Sequence, residues 1–266
     1  MNGEKSRRSF LRNTAIAGGA AAAGLSGITS ARSEEKTPAA IEKIMKTKDD
    51  LELLSWINNN LNTCVVCDSL DDLGIPVRAM DGRIRPLHPD FAFVGRARTV
   101  LWRDLYEPVK DDPYGKEIDS ADALRPGDVS VHSTDYAMRN APWGDLMSTA
   151  SKMRGAHGAI IDSNTRDVKN ILKLGFPVFT AGIKPLNSMG RGIVVDYDCV
   201  IECGGVKVKP GELIIADFDG IVVVPKDGEK EALILAEQKI TAEGHTRREL
   251  FKGRLLREVY EEYGVL

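Results

Sequence analysis

The sequence predicts an α/β fold with a parallel βαβαβ core, extra antiparallel strands after it, and helical extensions at the N- and C-terminal ends. Three observations carry this. Between 129 and 179, short apolar runs alternate with helical stripes: Val129–Val131, Leu146–Met153, Ala159–Ile161, Val168–Leu174 and Phe176–Phe179. That strand–helix order feeds right-handed crossovers into a parallel sheet. Beyond Gly190 the short strands follow one another without helices, separated by turn signals at Pro210-Gly211 and Asp219-Gly220. A chain that is 42% hydrophobic and 28% charged, with four cysteines in 266 residues, excludes a disordered, collagen-like or disulfide-scaffold protein.

The N-terminal segment differs from the rest. Ser6-Arg7-Arg8-Ser9-Phe10-Leu11 precedes an uncharged, Ala/Gly-rich run from Asn13 to Ile28, with small residues near Ala31. This order matches a twin-arginine export signal over residues 1–31, which places the mature protein in the periplasm or another extracytoplasmic space. The apolar run is shorter than the ~20 residues a spanning helix needs, and no later segment is apolar enough to span. The net charge of −3 becomes more acidic when the leader takes Lys5, Arg7, Arg8 and Arg12 with it, which argues against nucleic acid as a partner.

Residues 32–49 read as a polar linker, and 50–266 as a single domain. Leu51, Leu54, Ile57 and Leu61 form a helical stripe. A second helix spans about Val65 to Leu73, stopped by Gly74 and Pro76. Phe91 to Trp102 is β-like, and Arg125-Pro126-Gly127-Asp128 turns into the strand at Val129. In the helix from Leu146, the residues Leu146, Met147, Ala150 and Met153 share one face. After the core come strands at Ile193–Val195, Val200–Glu202, Val206–Val208, Glu212–Ala216 and Ile221–Val224. A charged helical tail, Glu229 to about Tyr263, is interrupted near Gly244 and Gly253. Cys64, Cys67, Cys199 and Cys203 lack zinc-finger spacing and read as inert thiols.

Two loops could carry chemistry. In Trp143-Gly144-Asp145-Leu146-Met147, glycine admits close approach of a ligand, and the helix behind it offers free N–H groups to a carboxylate. The same residues would equally make a plain turn with Asp145 capping the helix. The second loop, Asp162 to Asp167, leaves a parallel strand at its carboxyl end, where open α/β sheets bind ligands. There Asp167 can give oxygens to a hard cation and Arg166 can stabilise an oxyanion, although an N-cap and a surface charge would use the same residue types.

The run Gly144-Asp145-Leu146-Met147 … Gly155-Ala156-His157-Gly158-Ala159-Ile160-Ile161-Asp162 … Thr165-Arg166-Asp167 … Gly175-Phe176-Pro177-Val178-Phe179 resembles the 4-hydroxy-4-methyl-2-oxoglutarate aldolase (RraA-like) family. That family also holds the proteins called regulator of ribonuclease activity A. The likeness extends to Asp68–Gly74, Val94–Val100, Gly205–Glu212 and Asp217–Pro225, nearly everything after residue 50. It implies a swivelling β/β/α fold assembled as homotrimers or homohexamers, with sites between subunits. It also implies that Gly144, Asp145, Leu146 and Met147 hold a substrate carboxylate and that Arg166 contacts its keto oxygen. Asp167 would ligate Mg²⁺ or Mn²⁺, Asp145 would hold a metal-bound water, and Glu243 would reach in from a neighbouring subunit. Ser163-Asn164-Thr165 departs from the smaller, Gly-containing turn of the aldolases.

The function this implies is a metal-dependent aldolase or decarboxylase that cleaves a small 2-oxo acid through a pyruvate enolate. The alternative is a non-catalytic regulator acting through protein contacts. Retention of Arg166, Asp167 and Asp145 points to the enzyme. A quinone methyltransferase would need a Gly-rich loop for its methyl donor, and none is present.

Overall fold

The computed structural model describes residue 40, residues 45–46, 49–75, 78–109, 111–135 and 137–264. The expected leader over 1–31 lies outside the described residues, as does most of the expected 32–49 linker. In chain order the elements are α1 (Asp50–Asn60), α2 (Thr63–Asp72), β1 (Arg85–Pro86), β2 (Phe93–Asp104), α3 (Gly115–Asp122), β3 (Asp128–Ser133), α4 (Asp145–Met153), β4 (Gly158–Thr165), α5 (Val168–Leu174) and β5 (Val178–Ile183). They continue with β6 (Gly192–Tyr197), β7 (Ile201–Cys203), β8 (Val206–Val208), β9 (Leu213–Ala216), β10 (Ile221–Val224), α6 (Glu229–Phe251) and α7 (Leu256–Tyr263).

The main sheet runs β1-β5-β4-β3-β2-β9-β10, with β5, β4, β3 and β2 parallel. The long β2 carries two antiparallel partners: β9 pairs with its first half and β6 with its second. β7 and β8 form a separate hairpin whose Ile201, Cys203, Val206 and Val208 pack on the main core with Val129, Val131, Ile160 and Phe179. On another face, Leu54, Ile57, Val65, Val66 and Leu70 from α1 and α2 join Ala232, Leu233 and Ala236 of α6 over Leu213, Ile215 and Val224. Such apolar burial is the dominant stabilising term. Among the described residues, no helix is long and apolar enough to cross a membrane.

Several local expectations change. Asp162 to Thr165 is strand, not loop: β4 runs to Thr165 and every one of its residues is buried. Those polar residues can sit in a strand because their side chains are satisfied. Asp162 accepts from the Gly204 amide at 2.8 Å and pairs with Arg83, while Ser163 and Asn164 donate to the carbonyls of Ala137, Met138 and Asn140. Only Arg166 and Asp167 remain outside the strand. Helix α3, on the way from β2 to β3, was not expected; its polar sequence shows an inward face only at Ser120 and Ala121. In α4 the expected apolar face is split: Met147 packs against the core near Trp143 and Phe176, Leu146 and Met153 are 78% and 72% exposed, and the fully buried residues are Ser148 and Ser151. The C-terminal helix passes Gly244 unbroken and stops only near Gly253.

Candidate active site

The site is assembled at the carboxyl end of β4, where the chain of Ala141–Gly144 is laid alongside it. Trp143 makes a parallel bridge to Thr165, its carbonyl accepts the Arg166 amide at 2.9 Å, and Ala141 bridges to Asn187. Trp143 is the anchor: its ring is 1% exposed, stacks on Phe176, and donates from Nε1 to Ser148 Oγ at 2.8 Å. That serine in turn donates to the Gly144 carbonyl at 2.9 Å, so the turn and the first coil of α4 are held as one piece.

Gly144 occupies the N-cap position of α4 in extended backbone and makes no side-chain cap. Asp145 does not cap the helix either; it is the first helical residue, and its Oδ2 accepts from Asn170 Nδ2 at 2.9 Å. The amides of Asp145, Leu146 and Met147 belong to the first turn, where an α-helix supplies no carbonyl partner. They therefore present N–H groups and the positive end of the helix dipole to the space in front of them.

Across that space lie Arg166 and Asp167. Asp167 sits in the left-handed region, φ 58° and ψ 29°, at the start of α5, yet its side chain makes no capping hydrogen bond. Its Oδ2 lies 3.3 Å from Arg166 Nε instead. A non-glycine residue held in αL without a side-chain capping hydrogen bond marks backbone strain of the sort found at functional sites. The gap between the loops is closed down to the width of one hydrogen atom: a β-carbon on Gly144 would meet Asp167 Oδ2 at 2.8 Å and Arg166 Cγ and Nε at 3.3 Å.

These residues line one cavity of about 330 Å³ that contains Gly144, Asp145, Leu146, Met147, Arg166 and Asp167 together. Six of the seven expected site residues are thus brought to one place. Glu243 is not: it lies on α6, which packs against α2, and pairs with Arg247 of its own helix at 3.6 Å. The cavity adds a residue that the sequence reading did not single out. Glu117 of α3 lines it, half-buried, and burial pushes its carboxyl up to about 7, with Ser188 and the Arg166 charge pulling the other way. The signal was a glutamate three residues before the inward-facing Ser120 and four before Ala121, visible only once the helix is assigned.

Beneath the site, His132 is fully buried between Trp102 and Trp143. Trp102 Nε1 donates to its Nδ1 at 2.9 Å, Ser130 Oγ meets Nε2 at 2.8 Å, and burial pushes its pKa down to about 3. It is a neutral structural histidine. Cys64, Cys67, Cys199 and Cys203 are unpaired, and burial raises each thiol above its usual value, so none is poised as a nucleophile. Among the described residues, no group of three or more His, Cys, Asp or Glu side chains is arranged around a metal position.

Comparison with known proteins adds to this geometry. The family described as RraA-like (aldolase/RraA) matches residues 63–223. A protein of Halalkalibacterium halodurans named "Putative 4-hydroxy-4-methyl-2-oxoglutarate aldolase" is 30% identical over 199 residues, 71% of this chain and 84% of that protein. Protein DlpA of Legionella pneumophila is 25% identical over 237 residues; these make up 87% of this chain but 37% of that longer protein. Among solved structures, RraAS2 of Streptomyces coelicolor, described as an unusual member of the RNase ES inhibitor RraA protein family, superposes with a TM-score of 0.63. It is 27% identical, covering 79% of this chain and 99% of that one.

Proposed function

The chain belongs to the RraA-like family, and from that footing we propose that it is a metal-dependent lyase of small 2-oxo acids. It would cleave a carbon–carbon bond through a pyruvate-type enolate, by aldol cleavage or decarboxylation. The observation that carries the reading is the convergence of Gly144, Arg166 and Asp167 in one cavity. A carboxylate cradle, a fixed cation and a hard oxygen donor there match the three groups of a 2-oxo acid and its enolate.

The first-turn amides of Asp145, Leu146 and Met147 bind the substrate carboxylate. The Arg166 guanidinium faces the keto oxygen and stabilises the charge that builds on it as the enolate forms. The residues present fit a divalent ion. The Asp167 carboxylate, not used as a helix cap, lines the cavity of about 330 Å³, and Asp145 places a second oxygen donor in the same cavity. Asp167 would hold Mg²⁺ or Mn²⁺, with water filling most of the other positions and Asp145 bonding one of those waters. Such an ion supplies Lewis-acid polarisation of the 2-oxo group. Among the described residues no lysine lines the cavity, so none of them offers a Schiff-base amine there. Ile118 and Leu146, both exposed apolar side chains on its wall, would cover bound substrate from water.

Glu243 takes part only if a second copy brings it in, which makes a homotrimer or homohexamer part of the proposal. Export by the twin-arginine route, with an extracytoplasmic site of action, is proposed from Arg7, Arg8, Phe10 and Leu11. The test is oxaloacetate decarboxylation by the purified chain with Mg²⁺ and after EDTA, beside the Arg166→Ala variant. The reading expects metal-dependent turnover and a kcat lower by ~10²-fold in the variant, the usual scale for a lost oxyanion contact. Absence of both oxaloacetate decarboxylation and pyruvate proton exchange would favour the regulator.

A further inference from the structure

Among the described residues, five titratable side chains line the candidate cavity: Tyr114, Glu117, Asp145, Arg166 and Asp167. Two of the three carboxyls are already engaged. Asp145 accepts from Asn170 at 2.9 Å, and Asp167 lies against Arg166 at 3.3 Å. Glu117 has no ion-pair partner within 4 Å among the described residues, and its Oε2 receives a single long contact, 3.5 Å, from the Ser188 hydroxyl. Its direction is set by α3, which buries Ser120 and Ala121 one turn on, so the glutamate shares the inward face and its carboxyl enters the cavity from the wall formed by that helix. A carboxyl partly removed from water, facing the charge of Arg166 without being locked to it, is free to exchange a proton.

Resting on the lyase reading above, we propose that Glu117 is the proton carrier of the site, giving its proton to the enolate carbon left by carbon–carbon cleavage. When the bond breaks, its electron pair stays on the 2-oxo fragment as the enolate. The terminal carbon of that enolate takes the proton of the Glu117 carboxylic acid, forming the new C–H bond and leaving Glu117 as carboxylate. In aldol cleavage the same carboxylate has first taken the proton from the hydroxyl whose carbon becomes the second carbonyl, so one proton passes from oxygen to carbon. In decarboxylation CO₂ leaves without a proton, and water recharges Glu117. Arg166 cannot serve, since a guanidinium does not give up its proton near neutral pH. The Glu117 carboxyl titrates at about 7 because it is buried, which makes both protonation states available to a working enzyme.

The experiment is deuterium incorporation into the methyl group of pyruvate in D₂O with Mg²⁺, followed by NMR for the full chain and for Glu117→Gln and Glu117→Asp. Oxalate affinity and melting temperature are measured on all three. The proposal expects Glu117→Gln to exchange at least ~10²-fold more slowly while binding oxalate as the wild type does and melting no lower. It also expects the limb of the rate–pH profile near 7 to vanish in that variant, and Glu117→Asp to recover part of the rate. Exchange by Glu117→Gln within threefold of wild type, or an unchanged pH limb, overturns the proposal alone. So does loss of oxalate binding or of the fold in both variants, which would make Glu117 a structural group. A wild-type chain that neither exchanges pyruvate nor decarboxylates oxaloacetate removes the lyase reading and this proposal with it.

Discussion

A β-carbon on Gly144 would stand 2.8 Å from Oδ2 of Asp167, so these two residues, from the loops before α4 and after β4, define how closely the walls of the cavity approach. The backbone of Gly144 is extended, at φ −157°, and any residue could adopt it. Glycine is needed for the space, not for the conformation. This separates effects on the site from effects on the fold.

Gly144→Ala should therefore fold, with stability within about 1 kcal/mol of wild type, while pushing Asp167 and Arg166 aside. A displacement of roughly 1 Å in catalytic groups costs on the order of 10²-fold in rate. Steady-state kinetics beside a thermal melt check it. Normal kinetics would mean that the Asp167 side chain has no fixed task.

Asp167 gives the converse test. Held at φ 58° without a capping hydrogen bond, it costs roughly 1 kcal/mol of backbone strain. Asp167→Gly removes that strain, so it should melt at or above the wild-type temperature while losing metal-dependent activity. A markedly lower melting temperature would show that the carboxylate is a structural cap.

Much of the core was legible in the sequence because its periodicity is undisturbed. Val168–Leu174, Val206–Val208 and Ile221–Val224 are found at the positions expected. What the pattern hid are the places where polar groups are buried. Asp162 to Thr165 look like a loop until the carbonyls of Ala137, Met138 and Asn140 are brought against them by the fold. The α4 face was misread because Ser148 and Ser151 are inside and Leu146 and Met153 outside. Helix α3, and Glu117 with it, lacks an apolar stripe altogether. The cradle residues Gly144–Met147 and the pair Arg166–Asp167 were found by motif; their mutual contact needed three dimensions.

Two buried groups pull the pH dependence of stability in opposite directions. His132 is held near 3, below its ordinary 6.5, so the unfolded chain binds the extra proton and stability falls as pH drops through that window. Glu117, raised from 4.5 to about 7, binds its extra proton in the folded chain, so its contribution is lost as pH rises from about 4.5 to 7. The two slopes oppose each other between 4.5 and 6.5. Glu117→Gln should unmask the histidine, steepening the loss of stability on acidification by up to about 1.4 kcal/mol per pH unit. Denaturant titrations in EDTA between pH 4.5 and 7 measure the slope. An unchanged slope would mean that the Glu117 carboxyl is solvated.

The proposed sharing of sites between subunits predicts complementation. Arg166→Ala and Glu243→Ala should each lose most of the activity, and mixing them through reversible dissociation should restore part of it, since some sites then pair the intact Arg166 of one variant with the intact Glu243 of the other. Light scattering should give three or six times the chain mass. A monomer at micromolar concentration, or no recovery on mixing, would remove Glu243 from the site.

The proposed chemistry turns on a 2-oxo acid enolate held between the first turn of α4 and Arg166. Oxalate mimics that enolate, so the most direct measurement is a crystal structure of the full chain soaked with oxalate and Mg²⁺. The account predicts oxalate in the cavity, one carboxylate on the amides of Asp145 to Met147, an oxygen on Arg166, and the ion beside Asp167. Oxalate and Mg²⁺ absent from that cavity at saturating concentration, or bound without touching Arg166 and Asp167, would contradict it.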